Sequence, residues 1–142
     1  MRIEELNIGD WVCAEQLCGV HNEPRLTPPM KVVSLGESWV NLEIDPEQGD
    51  PFEFEPSEIR GIPITPEILE KNGFVRKDKY QFVNIDMLST VEKYGYKYYD
   101  YHNIYKKGKT YRPTWVEADN IRYVHELQHT IRLAGINKEI EV

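Results

Sequence analysis

The apolar positions along this chain switch between a period of two and a period near 3.6, and each stretch names an element. In the first part the period is two. Trp11-Val12-Cys13 follows a Gly9-Asp10 turn, and Met30–Leu35 (MKVVSL) is strand-like. After a Gly36-Glu37 turn, Ser38–Ile44 sets Val40, Leu42 and Ile44 against Trp39, Asn41 and Glu43. Phe52 with Phe54, then Ile59, Ile62 and Ile64, suggest a fourth and a fifth short strand. Residues 16–29 hold Gly19, Pro24, Pro28 and Pro29 and read as a long surface loop. At Thr65 the signals turn helical: Thr65 can cap, Pro66 suits the first helical position, and Gly73 stops the helix with Phe74 placed to pack back. Alternation returns over Tyr80–Met87, and a tyrosine-rich stretch follows in which Lys107-Gly108-Lys109 reads as a hairpin tip joining Tyr94–Tyr105 to Thr110–Val116. The adjacent Tyr98-Tyr99 breaks the alternation and suggests a bulge. The last pattern, Asp119–Gly135, is an amphipathic helix between an Asp119 or Asn120 cap and a Gly135 stop. Ile121, Tyr123, Val124, Leu127, Ile131 and Ala134 share one arc of roughly 160°. Ile140 and Val142 suit a final strand.

These elements describe an α+β protein. Several short strands at close spacing, with turns between them, indicate a small antiparallel barrel over residues 1–64. Its order (strand, long loop, hairpin, short strand, turn, last strand) resembles a Src-homology-3-like barrel, a likeness of architecture that assigns no activity. Residues 65–142 read as an α-β-β-β-α unit in which the long helix covers a three-stranded antiparallel sheet.

Charge separates the same two parts. Residues 1–64 hold four Lys and Arg (Arg2, Arg25, Lys31, Arg60) against 13 Asp and Glu, a balance of −9. The remaining 13 basic and 11 acidic residues give the second part +2. Phosphate is repelled by the first surface, so nucleic acid is not its partner. Two cysteines in 142 residues, Cys13 and Cys18, are too few for a disulfide scaffold and are expected as free thiols. No apolar run is long enough to span a membrane and MRIEELNIGDW has no signal-like core, so the expected location is the cytoplasm.

Two stretches carry candidate chemistry. His125-Glu126-Leu127-Gln128-His129 has the H-E-x-x-H spacing that puts two imidazoles on adjacent helical turns, with Glu126 as a base: the pattern of a zinc-dependent hydrolase. On a helical wheel His125 and His129 fall at about 40° and 80° from Ile121, beside Arg132 and Arg122 and off the apolar arc. The expectation is therefore a solvated face with a Glu126/Arg122 pair, no metal and no cofactor. The second stretch interleaves Tyr94, Tyr96, Tyr98, Tyr99 and Tyr101 with Lys97, Lys107 and Lys109. Tyrosines at strand spacing beside lysines can stack bases and neutralise phosphates, or simply pack beneath a helix.

The strings Pro63-Ile64-Thr65-Pro66-Glu67-Ile68-Leu69-Glu70-Lys71-Asn72-Gly73-Phe74 and Tyr123-Val124-His125-Glu126-Leu127-Gln128-His129, with Ile8–Val12 and Lys31-Val32, span most of the chain. Together they resemble a group of small uncharacterised proteins of gut Bacteroidales bacteria and their phages or mobile elements. That resemblance implies a cytoplasmic protein without established activity and carries over no catalytic residue. Proteins of this look often have HQLQN in place of His125–His129, a string that could not hold zinc. The expected function is thus a non-enzymatic binding or accessory module. It would engage a protein partner, or a nucleic acid through the Tyr/Lys stretch; the alternative is a zinc hydrolase at His125, Glu126 and His129.

Overall fold

The structure, a computed structural model, describes residues 1–45, 47, 49–76, 81–84, 89–92, 98–100, 121–133 and 137–142. The chain divides into two compact units, Met1–Pro63 and Ile64–Val142.

The first unit is a curled antiparallel half-barrel built from β1 (Trp11–Cys18), β2 (Glu23–Leu26), β3 (Met30–Leu35), β4 (Val40–Glu43), β5 (Phe52–Phe54) and β6 (Ile59–Gly61). The strand order is β2-β1-β3-β4-β5, and β6 pairs with Val12–Ala14 of β1 off this path. Alternation drives the curl. Val12, Ala14, Met30, Val32, Val40, Leu42, Phe54 and Ile59 form a buried cluster with Leu6, while intervening residues face outward. Ile44, which continues the Val40/Leu42 alternation in the sequence, lies past the end of β4 and is exposed. Gly36 N–H donates to Trp39 C=O at 2.9 Å, and the Trp39 indole occupies the space a side chain on residue 36 would need. A glycine is required there by close approach.

The stretch 16–29 is not a loop. Glu15–Cys18 pairs with Leu26–Glu23 in register, forming an arm that continues the β1–β3 ladder outward. Pro24 signals a breaker in the sequence, but its position in the sheet decides otherwise. β2 ends the sheet, and an edge strand tolerates the missing N–H. Residues 19–22 make the turn, with Gly19 at φ 79° and Asn22 at φ 49°, both in the left-handed region. At the arm's base Thr27 N–H donates to Ala14 C=O and Ala14 N–H to the Thr27 hydroxyl, bridging the residues where the register slips by one.

In the second unit, α1 (Pro66–Lys71) is followed by β7 (Val75–Arg76), β8 (Gln81–Asn84), β9 (Ser89–Glu92), β10 (Tyr98–Asp100) and α2 (Val124–Leu133). Helix α1 follows its local signals: the Thr65 hydroxyl accepts from Ile68 N–H at 3.2 Å, Gly73 takes φ 85°, and Phe74 is buried. Among the described residues the sheet order is β10-β9-β8-β7. β9 was missed because Ser89-Thr90-Val91-Glu92 is short and lacks a clear turn signal before it. The Tyr98–Asp100 strand pairs with β9. The expected hairpin over Tyr94–Tyr105 and Thr110–Val116 otherwise lies outside the described residues, as do the Asp119, Asn120 and Gly135 helix signals. Ile140 and Val142 form no strand, although Ile140 is buried.

Candidate functional site

Helix α2 overturns the expected orientation of its polar face. His125 is only 3% exposed and shares the buried side with Val124, Leu127, Gln128, Thr130 and Ile131. His129 is half-buried. The wheel placed His125 about 40° beyond the apolar arc, within one side chain's width of its edge, and burial extends that far. The His125 ring stacks on Tyr123 (centroids 5.8 Å apart, planes 9°) and meets His129 edge-on at 5.7 Å. Glu126 does not pair with the Arg122 guanidinium as expected. Its Oε2 accepts from the backbone N–H of Arg122 (2.6 Å) and Tyr123 (3.0 Å), so the carboxylate caps the helix start. Among the described residues, no group of three or more His, Cys, Asp or Glu side chains is arranged to hold a metal ion.

Of the Tyr/Lys stretch, Tyr94, Tyr96, Lys97, Tyr101, Lys107 and Lys109 lie outside the described residues. Tyr98 and Tyr99 belong to β10, opposite Val91 and Thr90.

The arm of the first unit is the site that sequence reading did not find. Its register pairs Leu17 with Pro24 and Glu15 with Leu26, which puts these four residues on one face. That face is opposite the one carrying Val12 and Ala14, and it is open to solvent: Leu17 is 68% and Leu26 62% exposed. Val20 in the tip turn is 96% exposed. Three aliphatic side chains and a proline thus stand in water on a two-stranded projection whose outer strand, among the described residues, has no partner on its far edge. At the base of the same face, Arg60 Nε donates to Glu15 Oε2 at 3.0 Å, and Lys31 Nζ lies 5.0 Å from the Trp11 ring centre. The signal was present in the sequence: Leu17, Val20 and Leu26 are spaced through a stretch assigned to a polar loop.

Elsewhere on the unit, Glu43, Ile44, Asp45, Gly49, Asp50 and Phe52 line a shallow hollow of about 110 Å³. Burial raises the Cys13 thiol above its ordinary pKa, which disfavours the thiolate a nucleophile would need. Cys18, at the end of β1, is likewise a free thiol. No helix among the described residues is long and apolar enough to cross a membrane. Compared with protein-family models, with curated proteins and with solved structures, the chain matches none.

Proposed function

We propose that this protein is a non-enzymatic binding module whose first unit, a Src-homology-3-like barrel, docks a protein partner on the outer face of the β1–β2 arm. The single observation behind this reading is the exposure of Leu17 and Leu26, side by side with Pro24 on an edge hairpin. Covering an aliphatic side chain is worth about 1.5–3 kcal/mol, so leaving several in water is a cost that a partner removes. The unit carries four basic residues against 13 acidic ones, which fits a partner segment that alternates apolar and cationic residues. Such a segment can add to the open edge of β2 as a further strand, its backbone giving affinity and its apolar side chains selecting this face. The barrel assignment is supported by the long first hairpin, the short helical turn Pro56–Glu58 before β6, and the return of β6 to β1.

The setting proposed, cytoplasm of a Bacteroidales host or its phage, rests on the sequence resemblance. The enzymatic alternative needs Glu126 as a base beside a zinc-bound water, and its carboxylate is instead bonded to two backbone N–H groups.

Partner capture with the whole protein and with a Leu17→Asp/Leu26→Asp variant tests the proposal. Both side chains are exposed, so the variant keeps the far-UV circular dichroism of the parent. The expected result is a captured protein that is lost with the variant and released by raised salt. Capture indifferent to both substitutions refutes it.

A further inference from the structure

The segment Asn137–Val142 belongs to no helix or strand, yet Ile140 is almost completely buried and two side-chain amides grip the backbone around it. Gln128, buried on α2, donates Nε2–H to Lys138 C=O (2.9 Å) and accepts Ile140 N–H on Oε1 (2.6 Å). Asn72, buried at the end of α1, does the same one residue further on. Its Nδ2 donates to Glu141 C=O (2.7 Å) and its Oδ1 accepts Glu141 N–H (2.8 Å). The other Nδ2 hydrogen goes to Ile68 C=O at 2.7 Å, which fixes the amide on the helix end. Each amide thus presents a donor and an acceptor to an extended chain, as a neighbouring strand would.

These four bonds go to groups every peptide possesses. Selectivity comes from the rest of the slot. Ile140 fills an apolar position, Arg132 Nη2 meets Glu139 Oε1 at 3.0 Å, and Lys71 Nζ reaches Val142 C=O at 2.7 Å. Arg132 beside the first position and an apolar second position fit an acidic residue followed by an aliphatic one in extended form, while Lys71 holds a main-chain oxygen further on.

We propose that this slot is a peptide-recognition site. Its ligand is an extended segment of a partner protein in which an acidic residue precedes an aliphatic one, and Glu139-Ile140 is the stand-in that the chain supplies to itself. The bound segment has no ladder bonds of its own, so releasing it breaks side-chain clamps rather than secondary structure. Tethering gives it an effective concentration on the order of millimolar, which a free ligand must match while the stand-in is seated.

The test uses the full chain carrying Ile140→Asp, which removes the apolar anchor, and a fluorescent peptide of sequence Asn-Lys-Glu-Ile-Glu-Val. Fluorescence anisotropy should show saturable binding, at least about tenfold tighter than to the unaltered chain. Binding should be lost when Gln128→Ala is added and when the peptide's own isoleucine is changed to aspartate. A variant with parental circular dichroism that binds no peptide, or binds it regardless of the isoleucine, overturns the proposal. Should Ile140→Asp lose its helical signal, the unaltered chain is titrated with excess peptide while the side-chain amide resonances of Gln128 and Asn72 are followed. Movement of both supports the site, and no movement overturns it. Concentration-dependent dimers that exchange this segment would assign the slot to a second copy and overturn the partner assignment.

Discussion

Replacing Gln128 by alanine removes two bonds at once, and the structure sets the size of the loss. The Ile140 N–H is left in a buried contact without its 2.6 Å acceptor, and Lys138 C=O without its 2.9 Å donor. A buried donor stripped of its partner costs about 1–3 kcal/mol, and a carbonyl that water can partly reach costs about 1 kcal/mol. The combined loss is roughly 2–4 kcal/mol. A domain's whole stability is about 5–15 kcal/mol, so the segment should detach while α2 stays folded. Native-state amide exchange reads this directly. Protection of Ile140 N–H should fall by roughly 30- to 700-fold, taking 1.4 kcal/mol per factor of ten. Amides inside α2, such as that of Ile131, should change far less. Gln128→Met separates the causes, because it fills the volume without offering either polar group. The reasoning requires Met to lose nearly as much as Ala. Unchanged Ile140 exchange in the alanine variant, or full protection in the methionine variant, refutes it.

Three other outcomes follow from local geometry. Gly36→Ala puts a methyl group where the Trp39 indole sits; the ring must move, at a cost of about 1–3 kcal/mol, and the Trp39 indole N–H resonance should shift while the β3–β4 pairing persists. Glu126→Gln removes the charge that caps α2 and should cost about 1 kcal/mol in denaturant unfolding followed by the helical signal; an unchanged midpoint would contradict the capping role. The Glu5 carboxyl, which accepts from Arg2 backbone N–H and lies beside its guanidinium, is held below its ordinary value of 4.5. A carboxyl whose folded pKa is depressed stabilises the fold above its unfolded value and loses that contribution as pH falls through the folded one, so nuclear magnetic resonance titration should place the Glu5 midpoint below 4.5.

What could be read in advance depended on whether a rule was local. Thr65, Pro66 and Gly73 mark α1 by backbone chemistry confined to one turn, and α1 appears between them. Val12, Met30, Val32, Val40 and Leu42 announce the first unit's inner face because a strand's period leaves them no other side. Pro24 misled because a proline is judged by its place in a sheet, and edge or centre is a tertiary property. His125 misled for a related reason: the wheel fixes its angle, but how far a neighbouring layer wraps round the helix is not written in the helix. Gln128 was legible and overlooked. It lies about 340° from Ile121, inside the apolar arc, and a polar residue in that place must find partners. Asn72, beside a helix-ending glycine, carried the same hint. Both clamp residues are amides, which carry no charge and so none of the signal by which ionisable groups mark a site.

The arm face decides whether this is a docking module. A photo-crosslinking residue placed at Leu17 in cells that naturally make the protein should yield one discrete protein adduct, abolished by Leu26→Asp. The same residue at Ile8, exposed and apolar but in the turn that precedes β1, should yield none. Equal adducts from both positions, or none from Leu17, would contradict docking on the arm.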